Sequence, residues 1–268
     1  MQIGNFNFSI IELKFEPVER DYRFYGSYYR GMLGRYLKRR FCVLRDADCD
    51  SCPLNDKCLY MLSFEKYRDV LFPPYVINRA NRDGLRVVFV GSFSEFSEVY
   101  LNVFKNQLKI TDAGFINPFS NGLYSKTTLT NSTNIAEISY AEDSITLKIK
   151  FVRLKKNSKM LTCNELSLAD ILKAIEKRIY LINKFYGDKS YKVFIPPFEG
   201  KWEKTACKYE NVKRYSNRKK RTMNIPSMNC TFKLYGNIEE IYPYLYLANL
   251  LNIGTNASMG FGNVFLYP

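Results

Sequence analysis

The feature that most constrains the fold is a helical repeat of apolar residues in the second half of the chain. Isoleucine recurs at intervals of three or four residues, at Ile171, Ile175, Ile179 and Ile182. That spacing places side chains on one face of an α-helix. Ser167 precedes the run and Gly187 follows it, and these residue types favour the two caps of a helix. The pattern predicts an amphipathic helix over 168–186 that packs against a core.

The segments around this helix predict one small domain. An alternating apolar and polar run precedes the helix at 144–154, and two strand-like runs follow it at 205–215 and 228–235. A second helix is predicted at 237–251, with Pro243 tolerated if it lies in the first turn, and a last strand at 261–267. The order is β-α-β-β-α-β, which is that of a ferredoxin-like domain.

The first half of the chain predicts an elaborated version of the same domain. Strand-like runs at 6–16 and 84–92 and helical runs at 27–41 and 96–108 occur in the matching order. We therefore expect an α+β protein with tandem ferredoxin-like (RRM-like) domains. The polar stretch at 127–134 predicts a boundary between domain 1–133, with a cysteine-cluster insertion at 42–58, and domain 134–268, with a basic hairpin and a glycine-rich loop.

The positive charge is concentrated in two segments. The formal net charge is +14, from 40 Lys and Arg against 26 Asp and Glu. Residues 30–40 contribute +5 with no acid, and residues 201–221 contribute +7. Two such patches favour a polyanionic partner, either nucleic acid or an anionic membrane. Without a signal peptide or a run of ~18 to 20 apolar residues, the chain is expected to be cytoplasmic, with no membrane partner.

Four of the seven cysteines predict a metal site. Cys42, Cys49, Cys52 and Cys58 lie within seventeen residues of a polar loop, and the Cys49–Cys52 spacing is typical of structural zinc sites. An iron–sulfur cluster also takes four thiolates, and buried free thiols or an adventitious disulfide are the alternatives. In a reducing compartment a disulfide framework is not expected. Cys163, Cys207 and Cys230 are isolated in helix- or strand-like contexts and are interpreted as packing residues.

Two further segments have residue types that are typical of RNA-binding sites. In the basic segment, Tyr209 and Tyr215 alternate with cations, so phosphates and unpaired bases could both be bound; the alternative is a solvated hairpin face. Gly254, Gly260 and Gly262 let backbone N–H groups approach a phosphate, or they close an ordinary turn. The chain has no histidine. Metal-free RNA cleavage would then rely on tyrosine, lysine and arginine, whose unperturbed pKa values are about 10 or higher, so it would be slow.

Three blocks together resemble the CRISPR-associated repeat-processing endoribonucleases of the RAMP superfamily. The first is Tyr29-Arg-Gly-Met-Leu-Gly-Arg-Tyr-Leu-Lys-Arg-Arg-Phe-Cys42 with the cysteine cluster through Glu65. The second, Val212-Lys-Arg-Tyr-Ser-Asn-Arg-Lys219, is similar to the family's Arg-Tyr-Ser-x-Arg-Gln motif. The third is the helix at 244–251 with the glycine loop. The resemblance implies tandem ferredoxin-like domains that bind CRISPR repeat RNA, and a role in antiviral defence.

The resemblance also implies a reaction. In the family, precursor CRISPR RNA is cut without a metal cofactor by 2′-hydroxyl attack, leaving a 2′,3′-cyclic phosphate. This sequence departs from the family where chemistry is expected. The His-x-Gly-Lys-Gly pattern of related proteins is represented by Asn252 and Thr255, and the Gln of the middle motif by Lys219. Fold and RNA binding therefore carry over better than catalysis.

These observations give a set of candidate residues. We expect Tyr28 to shuttle a proton, with Arg35, Lys38 and Arg214 stabilising the transition-state charge. The expected RNA-binding residues are Arg30, Arg39, Lys213, Tyr215, Arg218, Lys219, Lys220, Arg221, Gly254, Gly260 and Gly262. One alternative is a non-catalytic RAMP subunit that holds guide RNA with other CRISPR effector subunits. Another is a zinc-ribbon-type DNA-binding regulator.

Overall fold

The computed structural model describes residues 8–19, 22, 24–44, 48–65, 72–116, 123–124, 138–187, 193–216 and 221–268. The chain divides into two compact units, one formed by residues 7–131 and the other containing residues 132–268. The predicted boundary at 133/134 lies outside the described residues. Among the described residues, no helix has the length and apolar character that a bilayer crossing requires.

The N-terminal unit is an antiparallel sheet with helices. Its main strands are β1 (Phe8–Phe15), β2 (Tyr75–Ala80), β3 (Gly84–Val90) and β4 (Ile110–Ile116), with a two-residue strand β5 (Leu123–Tyr124). Its helices are α1 (Gly26–Phe41), α2 (Leu59–Phe64) and α3 (Ser97–Lys105). The strand order is β2-β3-β1-β4-β5, so β1 lies between β3 and β4. This is a ferredoxin-like sheet extended by β5.

The C-terminal unit has the same plan. Its strands are β6 (Ser144–Val152), the short pair β7 (Lys155–Lys156) and β8 (Lys159–Met160), the long pair β9 (Lys201–Ser216) and β10 (Arg221–Tyr235), and β11 (Asn263–Tyr267). Its helices are α4 (Leu168–Tyr186) and α5 (Tyr242–Leu251). The main sheet has the order β11-β6-β10-β9. That order, with the two helices placed between strands as predicted, confirms the tandem ferredoxin-like fold.

Helix α4 has the bounds that the isoleucine repeat predicts. Its apolar face is buried, and Ser167 begins it with a capping box: the serine oxygen accepts from the Asp170 N–H, and the Asp170 carboxylate accepts from the Ser167 N–H. Gly187 is the C-cap. Helix α5 begins at Tyr242 rather than at 237, because Pro243 occupies its first turn, where a missing N–H costs nothing.

One prediction about the cysteines is wrong. Cys163 and Cys207 form a disulfide, with their Cα atoms 5.6 Å apart. The Sγ atom of the buried Cys230 lies 3.2 Å from that of Cys207. The 44-residue separation gave no sign of this pairing, which arises because β9 runs past the turn that precedes α4. Two side chains of β9 bind the same turn: the Lys204 ammonium donates to the Cys163 carbonyl oxygen, and the Tyr209 hydroxyl oxygen accepts from the Cys163 N–H.

Thiol titration tests this pairing. Protein purified without reductant, then denatured in EDTA, should show the five thiols of Cys42, Cys49, Cys52, Cys58 and Cys230. After reduction it should show all seven. Peptide mapping is the control, because it separates a Cys163–Cys207 bond from a bond between Cys207 and Cys230. Seven thiols before reduction, in protein that is folded beforehand, would contradict the disulfide.

Candidate nucleic-acid interface

Helix α1 presents its cations to solvent because its other face is in the core. Tyr29, Leu33 and Leu37 are fully buried among the strands of the N-terminal unit. Four basic residues of the helix are exposed: Arg35, Lys38, Arg39 and Arg40. The last three lie in the final turn, where the carbonyl end of the helix dipole stabilises positive charge. The result is a basic surface without a carboxylate on the same helix.

Arg30 is placed differently from the other basic residues of α1. It is half-buried, and its guanidinium lies 4.6 Å from the centroid of the Phe64 ring. Burial raises the pKa of the Tyr75 phenol, and the charge of Arg30 opposes this rise. These contacts give Arg30 a packing role between α1 and α2, and its binding of RNA stays a prediction.

Tyr28 lies in a partly enclosed aromatic cluster. Its ring stacks on Tyr22 with centroids 5.1 Å apart and meets Tyr29 edge-on. Tyr22 and Tyr28 line a cavity of about 610 Å³ together with Glu16, Glu19 and Lys109. Neither Arg35 nor Lys38 lines this cavity. At ~1.5 Å per residue, Arg35 is about 10 Å and Lys38 about 15 Å farther along the helix than Tyr28, so the three do not form one tight cluster.

Lys38 belongs to the contact between α1 and α2. Its ammonium lies 5.6 Å from the centroid of the Tyr60 ring. Burial, reinforced by Glu65, raises the pKa of Tyr60 to about 12, so this phenol is neutral at physiological pH. Lys38 also opposes the rise in the pKa of Cys49. The predicted catalytic lysine therefore lies at the end of the basic surface of α1 that is nearer to the cysteine loop.

The cysteine loop joins two packed helices. Cys42 is the C-cap of α1 and Cys58 the N-cap of α2, while Cys49 begins a short 3-10 turn. All four thiols are free and partly exposed. Burial and then Glu65 raise the pKa of Cys49, and Cys42 and Cys58 add to the rise. Within the described residues no three His, Cys, Asp or Glu side chains gather as metal ligands. The donor set suits zinc, but the arrangement is not a closed tetrahedral site.

The basic hairpin is longer than predicted. Strands β9 and β10 pair from Lys201 with Tyr235 to Ser216 with Arg221, with a shift in register between Thr231 and Phe232. Lys213 and Arg221 are exposed near its far end, while Arg214 is half-buried on the same face as the buried Val212. Arg218, Lys219, Lys220 and the side chain of Tyr215 lie outside the described residues. The hairpin therefore carries part of the predicted basic patch on regular strands.

The glycine loop lies directly beside Arg214. The Nη1 atom of Arg214 is 3.1 Å from the Sδ atom of Met259, in the turn at 257–259. The structure thus brings together two segments that the sequence predicts to bind RNA, although they are more than forty residues apart. The charge of Arg214 is presented at the edge of this loop.

The backbone of the glycine loop is used for packing. The N–H groups of Ile253, Thr255 and Gly262 donate to carbonyl oxygens of Gly262, Arg153 and Phe151, and those of Met259 and Gly260 close the turn. A Cβ atom at Gly254 would lie 2.5 Å from the Arg153 oxygen, and one at Gly262 would overlap the Ile253 oxygen. These glycines are explained by close backbone approach. Phosphate binding by the loop stays a prediction.

The position that corresponds to the histidine of the resembled family is buried. Asn252 is fully buried, has φ of 54°, and donates its side-chain amide to the Ala257 oxygen at 3.0 Å. It holds the loop in shape and has no exposed atom for proton transfer. Thr255 is half-buried, with its N–H bonded to Arg153.

Comparison with known structures is consistent with this geometry. The Cas6 of Thermus thermophilus matches with a TM-score of 0.53 and 11% identity, covering 98% of this chain and 99% of that one. A Cas6 in a product complex matches with a TM-score of 0.51 and 9% identity, over 97% and 99%. The chain has the Cas6 fold.

Two further comparisons qualify the likeness. A partial Cas6-RT-Cas1–Cas2 complex matches the Cas6 fold of this chain with a TM-score of 0.55 and 12% identity, over 98% of this chain and 46% of that one. In sequence, residues 12–105 match the family model AF_1859_N, described as an N-terminal domain. No curated protein matches the chain in sequence.

Arg178 is a buried charged residue of α4 that the sequence pattern did not single out. It is buried on α4, where its Nε donates to the Leu251 oxygen at 3.2 Å and its Nη2 to the Ser258 hydroxyl at 3.3 Å. Burial lowers its pKa to about 10, so it stays charged at neutral pH. It joins the carbonyl end of α5 to the glycine loop, where positive charge is favourable. The signal was a basic residue next to Ile179, on the apolar face of α4.

Two glycine substitutions test whether the loop is held by close packing. Gly262 and Gly236 have similar positive φ values, 63° and 71°, but a Cβ atom at Gly236 meets nothing within 4 Å. Gly236→Ala should cost about 1 kcal/mol of unfolding free energy from backbone strain alone. Gly262→Ala should cost about 1–3 kcal/mol more because of the overlap with Ile253. Urea denaturation measures the unfolding free energy of both variants. Equal losses would show that the loop adjusts to the added Cβ atom and is not held by close packing.

Proposed function

We propose that this protein binds CRISPR repeat RNA and cuts precursor CRISPR RNA without a metal cofactor. The observation that carries the proposal is the exposed, acid-free cationic surface of α1 in a tandem ferredoxin-like fold. One structural neighbour with this fold is a Cas6 product complex, and the sequence blocks resemble repeat-processing endoribonucleases. A basic hairpin edge in the C-terminal unit adds to the same charge. Phosphates are the groups that such surfaces recognise.

The proposed reaction is an internal transfer at one phosphate. The 2′-oxygen attacks the adjacent phosphorus, the bond from phosphorus to the 5′-oxygen breaks, and a 2′,3′-cyclic phosphate remains. One proton leaves the 2′-hydroxyl and another reaches the 5′-oxygen. In this proposal Tyr28 relays a proton, and Arg35, Lys38 and Arg214 stabilise the added negative charge. Tyr28, Arg35 and Lys38 are spread along α1, so in this proposal their side chains converge only when RNA is bound.

Incubation with repeat RNA in EDTA tests cleavage. The wild-type protein should release a product that ends in a 2′,3′-cyclic phosphate, and Tyr28→Phe and Arg35→Ala should each slow its release by about 10²-fold or more. Lys105→Ala, an exposed cation on α3, is the matched control and should cut at the wild-type rate. RNA that stays intact at high protein concentration would contradict the cleavage proposal.

A second candidate function is binding without cutting. The buried Asn252 favours it, because the position that resembles the family histidine has no group free for proton transfer. The protein would then hold guide RNA, with other CRISPR effector subunits as partners. Tight, salt-dependent binding of repeat RNA with no product would support this function. Equal affinity for duplex DNA and RNA would instead indicate the DNA-binding regulator.

We also propose that the cysteine loop binds structural zinc. The loop contains four free thiols, of which Cys42 ends α1 and Cys58 precedes α2. A polar loop with few buried residues is stabilised most by a metal that links its thiolates. Metal analysis should give about one zinc per chain, lost in Cys49→Ser/Cys52→Ser but kept in Cys230→Ser. A brown protein would indicate an iron–sulfur cluster, and a folded, colourless, metal-free protein would exclude both.

A further inference from the structure

The outer face of the C-terminal sheet carries an unusual set of residues. In β6, Ile145, Leu147 and Ile149 are buried, so the alternation turns Lys148 and Lys150 to the other face. The register continues this face across the sheet, because Lys148 pairs with Phe265 of β11 and with Thr231 of β10. In the next row Thr146 pairs with Tyr267 and with Lys233.

This face is open and positively charged. Four of its lysines are exposed: Lys148, Lys150, Lys208 and Lys233. Two carboxylates of β9 lie on this face by the same alternation: Glu203, which accepts a hydrogen bond from the Tyr235 hydroxyl at 3.3 Å, and the half-buried Glu210, two residues beyond Lys208. In the described part of the chain none of the four lysines forms an ion pair. Apolar burial does not explain the face, since Tyr267 is 47% exposed and the residues between the lysines are mostly polar.

Two aromatic rings lie along one edge of the face. The rings of Phe265 and Tyr267 are within 9° of parallel, with centroids 6.5 Å apart. The ammonium of Lys150 is 5.3 Å from the centroid of the Phe265 ring. Parallel rings on alternate residues of one strand form a flat platform, on which unpaired bases can stack. The neighbouring lysines lie within reach of the phosphates that join such bases.

We propose that this outer face, defined by Lys148, Lys150, Lys233, Phe265 and Tyr267, binds an unpaired segment of RNA. Bases stack on the two rings, and the lysines bind the phosphates between them. Sheets of this topology bind single-stranded RNA through aromatic residues on their open face. The charge selects a polyanion, and the rings select unpaired bases over a duplex, whose bases are already stacked. The proposal rests on RNA being the substrate, and it adds residues of the C-terminal sheet that the proposed function does not use.

The test compares variants on a single-stranded probe and on repeat RNA. Fluorescence anisotropy with an oligouridylate of about ten nucleotides should show about tenfold or greater weakening for Phe265→Ala/Tyr267→Ala. Its salt dependence should stay unchanged, because no cation is lost. Lys148→Ala/Lys233→Ala should weaken binding and reduce the salt slope by about 0.7 for each phosphate contact removed. A duplex of the same length should lose little affinity in the aromatic variant.

A matched control is available on the opposite side of the unit. Lys177→Ala/Tyr180→Ala removes an exposed cation and an exposed ring from α4, and should leave binding as in the wild type. Thermal unfolding of all variants confirms that the exposed substitutions leave the fold intact. A photo-crosslink from 4-thiouridine RNA to Tyr267 gives a direct second readout.

The outcomes separate this inference from the proposed function. If the wild-type protein binds repeat RNA and the aromatic variant binds it and the oligouridylate equally well, the inference is overturned while the proposed function stands. If the wild-type protein does not prefer repeat RNA but the aromatic variant still loses the oligouridylate, the surface is supported and the proposed function fails. Equal loss on single strand and duplex would overturn the stacking role of the rings.

Discussion

The two-residue period of β6 is the constraint on which the C-terminal unit depends. This strand lies between β11 and β10, and its alternate residues serve two environments. Ile145, Leu147 and Ile149 fill the core, while Lys148 and Lys150 face outward. A slip of one residue would place lysines in the core and isoleucines in water, so the register is strongly determined. The same alternation that buries the core therefore creates the charged outer face.

The glycine loop, which the sequence predicts to bind RNA, also has a structural role. The glycine loop is closed by its own hydrogen bonds, by Asn252 and by the buried Arg178. It follows that glycine at 254 and 262 needs no ligand to explain it. What remains available to a polyanion is side-chain charge: the exposed cations of α1, the end of the hairpin and the outer sheet face. The RNA binding proposed for this protein would therefore depend mainly on lysine and arginine, with aromatic rings for unpaired bases.

The cysteines show that the fold, rather than the spacing in the sequence, determines the role of each cysteine. Cys49 and Cys52 have the spacing of a zinc knuckle, yet the described loop does not gather three ligands. Cys163 and Cys207 have no informative spacing, yet β9 brings them into a disulfide. Cys230 lies beside them, and burial raises its pKa to about 12, so it remains a neutral thiol at physiological pH.

The sequence by itself determined the elements with a long, regular period. The repeat of isoleucines located α4 to the residue, alternation located β6 and β1 within two residues, and the uneven charge indicated a polyanion. It missed β2 and β4, where Asn78, Asp112 and Gly114 interrupt the apolar pattern. Only the tertiary structure decided which charges are exposed. Arg30 packs on Phe64, Arg178 holds α5 and Arg214 reaches Met259, whereas Lys148 and Lys233 share an open face. The reason is physical: the side chain carries its charge in the sequence, but strand pairing and helix packing decide what lies next to it.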